Sequence, residues 1–157
     1  LLPKFPKLKY ISIGDGDEKN NLEKLKKELG LINEVSFIYK STEQEKVSLL
    51  EKSDIFVMPS VVYKKSVEGF GISYIEAAAY GIPSIAGIEG GVVDAVADSR
   101  TGWCIDPLSL KELADTLKEA INDEKKREEY SLQAQKHFMD YFSGEKVFRK
   151  LVDTITI

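Results

Sequence analysis

A chain of 157 residues with a net charge of −4 and an isoelectric point near 5.2 fits one domain with its own core. It is a poor platform for nucleic acid, because no basic stripe interleaves with aromatic residues. One cysteine, Cys104, and one histidine, His137, exclude an internal disulfide and a Cys- or His-rich metal site.

Taken in chain order, the pattern alternates strand and helix. A strand over 9–13 leads to a helix over 18–29, where Leu22, Leu25 and Leu29 share a face and Gly30 stops it. A strand over 35–38 follows. Ser41-Thr-Glu-Gln44 resembles a capping box that starts a helix over 42–52. Next come a short apolar strand over 55–59, a glycine-containing loop, a buried helix over 72–80 stopped at Gly81, a strand over 83–86, a helical turn near 92–97 and a strand over 103–105. Cys104 fits a small buried strand residue. Ser109 caps a long helix whose Leu110, Leu113, Ala114, Leu117, Ala120 and Ile121 are expected to face the sheet. Two further helices, over about 124–141 and 144–154, end the chain, and His137 falls on the first of them as a satisfied or solvated residue. Strands separated by helical crossovers predict a parallel sheet. No apolar run approaches the roughly 20 residues of a membrane span, and no signal segment opens the chain, so the expected location is cytoplasmic.

The most informative stretch is Glu68-Gly-Phe-Gly-Ile-Ser-Tyr-Ile-Glu76. On one continuous helix, residues eight apart lie about 80° out of phase, so the two carboxylates converge only if the chain breaks between them. Gly69 and Gly71 supply that break. The unit is then strand, loop and helix, and the helix N-terminus at Gly71, Ile72 and Ser73 presents unpaired N–H groups at the positive end of the helix dipole. A carboxylate accepts hydrogen bonds from paired hydroxyls, so two acids flanking an anion site suit a ligand with a diol, phosphates and a sugar. The same residues also fit a plainer reading, with Glu68 as a helix-entry acid and Glu76 as a solvated helix residue. Gly14-Asp15-Gly16 follows the first strand in the same way as the Glu68 loop follows the third, and ligands of parallel sheets sit at the carboxyl ends of strands. Lys19 stands where a dinucleotide fingerprint wants Gly or Ala, which argues against an NAD-dependent oxidoreductase.

The motif of two glutamates with seven residues between them, with Gly-Phe-Gly behind the first, resembles the signature of the retaining GT-B glycosyltransferases of family four. Further stretches agree in order: Tyr10 to Glu18 with its Gly-Asp-Gly, Val35 to Phe37, Ser53 to Ser60, Gly81 to Ala86, Gly90-Gly91 and Thr101-Gly-Trp103. The agreement covers most of residues 8–145, with Asp94 standing where many members have glutamate.

The fold this resemblance implies is α/β, a Rossmann-like parallel sheet with helices on both faces, forming the C-terminal half of a GT-B fold. It implies that residues 1–157 are a single nucleotide-sugar-binding domain truncated at its N-terminal strand, without the acceptor-binding N-terminal domain. Glu68 resembles the glutamate near the donor sugar and the catalytic centre, and Glu76 the one that binds the ribose. The backbone at Gly69, Phe70, Gly71, Ile72 and Ser73 resembles the segment that meets sugar hydroxyls and diphosphate. Gly14, Asp15 and Gly16 are further donor-binding positions, and Tyr39 and Lys40 sit where the family reads the nucleobase. The basic pair that neutralises the diphosphate has no counterpart here; Lys64 and Lys65 precede Glu68 and are candidates for that role, or simply solvated.

The implied parent enzyme moves a hexose from a UDP- or GDP-sugar to an acceptor hydroxyl of a glycan, lipid or small molecule, with retention and with neither cofactor nor essential metal. That chemistry belongs to polysaccharide or glycolipid biosynthesis, and it allows a peripheral place for the longer protein at the inner membrane face. The alternatives are a non-catalytic nucleotide- or sugar-binding relative and a glycogen-synthase-like GT-B enzyme.

Overall fold

Every apolar run expected to be a strand is one. In chain order the elements are β1 (Tyr10–Ile13), α1 (Lys19–Glu28), β2 (Val35–Ile38), α2 (Glu43–Leu50), β3 (Phe56–Met58), α3 (Ile72–Ala79), β4 (Ser84–Gly87), α4 (Val92–Ala95), β5 (Gly102–Ile105), α5 (Leu110–Asn122), α6 (Glu124–His137), a π-helical turn (Phe138–Phe142) and α7 (Gly144–Ile155). This computed structural model describes residues 1–62 and 68–155, so Lys64 and Lys65 lie outside the described residues. The chain divides into two units, Leu1–Glu51 and Lys52–Ile157.

In the second unit, β3, β4 and β5 form a parallel sheet with β4 in the middle, Val57 opposite Ile85 and Ile85 opposite Trp103. Side chains alternate between the two faces of a strand, and here both faces are apolar. One face carries Phe56, Met58, Ala86 and Cys104, which pack with Tyr74 and Ile75 of α3, Val92 and Ala95 of α4, Val96, and Phe138 and Phe142 of the π turn. The other carries Ile55, Val57, Ile85, Trp103 and Ile105, which pack with Leu113, Leu117 and Ala120 of α5 and Tyr130 of α6. Helices therefore cover both faces of this sheet, as parallel strands buried on two sides require. Trp103 joins two layers: its ring lies 4.7 Å from that of Tyr130, and its indole N–H donates to Glu119 at 3.2 Å. Arg127 donates from Nη1 to the carbonyls of Ala120 and Ile121, at 2.8 and 3.2 Å, satisfying the C-terminal end of α5.

In the first unit, β1 and β2 pair in parallel, Tyr10 opposite Val35 and Ile13 opposite Ile38. Gly30, at φ +67°, ends α1, with Gly30 N–H donating to Lys27 and Leu31 N–H to Lys26. Leu22, Leu25 and Leu29 share a face but stay 41–60 % exposed, and the fully buried core lies entirely within the second unit.

Four local expectations are corrected. The capping box begins at Thr42 rather than Ser41: the Thr42 hydroxyl accepts from Glu45 N–H at 3.2 Å and the Glu45 carboxylate accepts from Thr42 N–H at 2.7 Å. The bonds it accepts from the Thr42 N–H and then from the Thr42 hydroxyl hold the Glu45 carboxyl below its ordinary range. Leu110 does not face the sheet; it is the first helical residue after the Ser109 cap and is 81 % exposed, and the α5 contacts to the core begin with Leu113. The helix expected over 124–141 ends at His137 and widens into the π turn. Phe138 and Phe142, at the two ends of this turn, both pack against the first core. Finally, His137 is neither satisfied nor solvated: both ring nitrogens are buried without a hydrogen-bond partner among the described residues, and the ring packs on Tyr141 and Phe142 at 5.0 and 5.2 Å.

A buried polar group without a partner costs roughly 1–3 kcal/mol. His137→Phe, which keeps the ring and removes both nitrogens, is expected to raise stability by about 1 kcal/mol. Urea unfolding followed by tryptophan fluorescence measures this, and an unchanged or lowered midpoint contradicts the packing described.

Candidate functional site

The loop between β3 and α3 is shaped by backbone constraints. The helix starts at Gly71, whose φ of +81° is left-handed. A Cβ at that position would lie 2.4 Å from the Tyr74 ring, so glycine is required both by conformation and by space. Tyr74 is 1 % exposed, meets Phe56 edge-on at 5.7 Å and donates its hydroxyl to the Met58 carbonyl. This bond ties the first turn of α3 to the end of β3. Burial pushes the Tyr74 hydroxyl above its usual pKa, Ser60 opposes that rise, and the negative charge of Glu68 adds to it.

On the other side, the turn after β4 clamps the loop. Gly91 N–H donates to the Glu68 carbonyl at 3.0 Å, and Val62 N–H donates to the Glu89 carboxylate at 2.5 Å. The backbones cross so closely that a Cβ on Gly91 would lie 1.9 Å from the Gly69 carbonyl oxygen. Phe70 packs against Phe142 of the π turn at 5.5 Å. The result is a loop whose course past Glu68, Gly69 and Phe70 is fixed by its neighbours.

No side chain caps α3, whereas Thr42, Ser109 and Asp123 cap α2, α5 and α6. Tyr74 N–H donates to the Gly71 carbonyl. The amides of Ile72 and Ser73, at the first two helical positions, precede any intrahelical acceptor and carry the positive end of the dipole. Glu68 is partly buried before this N-terminus, its Cγ 3.7 Å from where a Gly71 Cβ would stand. Glu76, partly buried, follows Ile72 by four residues and Ser73 by three, on the same side of α3. Helical side chains lean toward the N-terminus, so Glu76 leans toward the same end that Glu68 precedes. The two acids thus flank one uncapped helix start.

In the first unit, Gly14-Asp15-Gly16 and Tyr39-Lys40 follow the adjacent strands β1 and β2. Gly14, at φ +143°, donates its N–H to the Ile38 carbonyl at 3.0 Å. The Tyr39 hydroxyl donates to Glu23 at 2.8 Å, and the Lys19 ammonium sits 3.7 Å from the Tyr39 ring centroid. Burial first, then Glu23 and the charge of Asp15, push the Tyr39 hydroxyl up to about 12. Asp15 and Tyr39 are therefore brought together, while Lys40 is exposed.

Sequence reasoning singled out the motif residues but not Tyr74, Glu89 or Glu23, and it read Lys19 only as a departure from a dinucleotide fingerprint. Tyr74 was legible as an aromatic residue inside a small-residue helix start. Glu89 had no local signal, since its partner is 27 residues away. Among the described residues, no three His, Cys, Asp or Glu side chains converge as a metal cluster. Asp94 lies exposed on α4.

Residues 1–137 match the profile of the family described as Glycosyl transferases group 1. The chain belongs to that family. It is 33 % identical over 141 residues to a D-inositol 3-phosphate glycosyltransferase of Corynebacterium urealyticum, covering 89 % of this chain and 32 % of that protein. It is 32 % identical over 115 residues to a GDP-mannose-dependent alpha-(1-6)-phosphatidylinositol monomannoside mannosyltransferase of Mycobacterium tuberculosis, covering 72 % of this chain and 30 % of that protein. The chain thus spans about a third of the length of these relatives. Among solved structures, the C-terminal domain of the group 1 glycosyl transferase LpcC from Francisella tularensis has a TM-score of 0.77 at 28 % identity, over 90 % of this chain and 73 % of that one. Anabaena Alr3699/HepE in complex with UDP-glucose has a TM-score of 0.81 at 24 % identity, over 95 % of this chain and 41 % of that one, which shows a shared fold. The Rossmann-like α/β architecture is that of GT-B glycosyltransferases.

The crossing at Gly91 gives a direct test of the loop geometry. Gly91→Ala is expected to cost about 1–3 kcal/mol by overpacking against Gly69 and to shift the amide resonances of Glu68 to Ser73. A variant as stable as the parent, with unmoved resonances, contradicts the crossing.

Proposed function

We propose that this chain is the donor-binding part of a glycosyltransferase that moves a hexose from a nucleoside-diphosphate sugar to an acceptor hydroxyl with retention at the anomeric carbon. The observation that carries the reading is the uncapped start of α3 flanked by Glu68 and Glu76. In this reading the amides of Gly71 to Ser73 hold phosphate and sugar oxygens, where a fixed N-terminal dipole favours anions without reorganisation. Glu76 accepts both ribose hydroxyls. Glu68 orients the sugar and favours the positive charge that develops on it as the diphosphate leaves. No side chain of this chain is assigned as a general base, because the departing diphosphate itself takes the acceptor proton.

UDP and GDP are the proposed nucleotides. Support comes from a similar fold solved with UDP-glucose and from a relative named for its dependence on GDP-mannose. The Gly14 to Gly16 turn is proposed to assist in donor binding, and the Tyr39-Lys40 stretch to supply base contacts, with the Tyr39 proton already committed to Glu23. The acceptor is proposed to be a glycan, lipid or small molecule met by a further domain of the longer protein, whose relatives are named for inositol and phosphatidylinositol substrates. A peripheral position at the inner membrane face fits a lipid acceptor, and among the described residues no helix is long and apolar enough to cross a membrane.

A two-dimensional amide NMR titration with UDP, GDP and ADP tests the proposal. The expected result is saturable movement of the Gly69 to Ser73 amides with UDP or GDP, weakened about tenfold or more in Glu76→Ala through loss of charge-assisted hydrogen bonds. Equal affinity in that variant removes the ribose role, and no movement with any nucleotide overturns the donor-site reading.

A further inference from the structure

Lys19 opens α1 beside the Gly14 to Gly16 turn, its N–H donating to the Gly16 carbonyl at 3.2 Å. The residue is partly buried, and its ammonium lies 3.7 Å from the centroid of the Tyr39 ring. The ordinary partner for a lysine on a helix is an acid three or four residues away, and Glu23 stands four residues on. That carboxylate is engaged elsewhere: it accepts from the Tyr39 hydroxyl at 2.8 Å and faces the Lys26 ammonium at 3.9 Å. Lys24 and Lys26 on the same helix both have acid partners, whereas Lys19 forms no ion pair among the described residues. A ring face attracts the charge without accepting a conventional hydrogen bond, so the three N–H donors of Lys19 remain available to another acceptor.

The surroundings narrow what that acceptor is. The cluster stands at the carboxyl ends of the parallel strands β1 and β2, where ligands of such sheets sit. Gly14 N–H, donating to the Ile38 carbonyl, joins the turn after β1 to the end of β2. Tyr39 itself has little left for recognition, because its hydroxyl proton is committed to Glu23 and one face of its ring is covered by Lys19. Charge decides between the oxygens of a nucleotide. Glu23 and Asp15 place two carboxylates around the same tyrosine, since the charge of Asp15 also reaches the Tyr39 hydroxyl. A phosphate brought here is repelled by both, whereas a neutral carbonyl oxygen is not.

We infer that Lys19 is a specificity-determining residue of the donor site: its ammonium donates to an exocyclic carbonyl oxygen of the nucleobase and so favours uracil or guanine over adenine. The inference rests on the proposed reading in which the Tyr39-Lys40 stretch supplies base contacts. The preference is one of hydrogen-bond sign. An ammonium only donates; guanine offers O6 and uracil the same O4 as thymine, both acceptors, while adenine presents the N–H donors of its amino group. Held against the Tyr39 ring, the ammonium is already in place, so less side-chain freedom is lost on contact.

The experiment titrates the parent chain, Lys19→Met and Lys19→Gln with UDP, GDP and ADP by two-dimensional amide NMR, with Lys24→Met as a control for charge lost from the same helix. Methionine keeps an unbranched stem against the ring and removes the donors; glutamine restores N–H donors without the charge. The parent is expected to bind UDP or GDP about tenfold more tightly than ADP, the size of one charge-assisted hydrogen bond. Its amides at Gly14 to Gly16 and at Tyr39 and Lys40 are expected to move on binding. In Lys19→Met, affinity for the preferred nucleotide is expected to fall about tenfold while that for ADP stays unchanged, so the preference disappears. Lys19→Gln is expected to regain part of the preference and Lys24→Met to keep it whole.

A preference for UDP or GDP that survives in Lys19→Met overturns the inference. Equal weakening of all three nucleotides also overturns it, because it assigns Lys19 to the phosphates they share, and so does a parent that binds ADP as tightly as the others. Movement confined to the Gly69 to Ser73 amides puts the base away from Lys19 and overturns the inference while leaving the donor site standing. A parent that binds none of the three overturns the donor-site reading, and the inference with it.

Discussion

The close crossing of two backbones at Gly91 and Gly69 is the constraint on which the candidate site depends. The turn after β4 can approach the loop after β3 only because Gly91 has no side chain; a single Cβ there would overlap the Gly69 carbonyl oxygen. At that separation Gly91 N–H reaches the Glu68 carbonyl. Glu68 is thereby fixed in the chain just ahead of the Gly71 turn, and Gly71 in turn releases α3 with its first amides uncapped. The geometry that suits an anion flanked by carboxylates follows from backbone contacts made before any side chain of the motif is considered.

Around this crossing, the packing turns a flexible stretch into a defined one. Tyr74 locks the first turn of α3 to the end of β3 through the Met58 carbonyl, and Phe70 leans on Phe142, which the π turn holds against the core. The β3–β4–β5 sheet is covered by apolar packing on both faces. Loops that follow rigid parallel strands are where such folds place their ligands. The candidate site is therefore built on a loop after a packed strand, and its constraint is visible in the glycines that have no substitute at positions 71 and 91.

The first unit presents a different picture. Its parallel pair sets Asp15 near Tyr39, and the Tyr39 hydroxyl and ring are engaged by Glu23 and Lys19 from α1. The apolar residues of β1 remain partly open, with Tyr10, Ile11 and Ile13 each above 40 % exposed. The core of the molecule is thus the core of residues 52–157, and the chain as a whole spans about a third of the relatives it resembles.

Much of the molecule was legible from local pattern. Alternating apolar runs, the stops at Gly30 and Gly81, and the caps at Ser109 and near Thr42 are short-range signals, and the elements follow them closely. The Glu68 to Glu76 spacing, with glycines between, pointed to a break ahead of the helix, and α3 does begin at the left-handed Gly71. What local pattern misplaced was decided at longer range: Leu110 lost its expected place because only packing tells which turn of a helix reaches the sheet, and His137 was drawn into an aromatic cluster without a partner for either nitrogen. The Val62–Glu89 tether and the Gly91–Gly69 crossing join residues more than twenty apart, so no periodicity or motif foretells them. The elements, the family and the two motif glutamates are written in near neighbours and can be read without the fold. How the loop after β3 is held depends on which distant backbones come within a hydrogen bond of each other, and that is settled by packing alone.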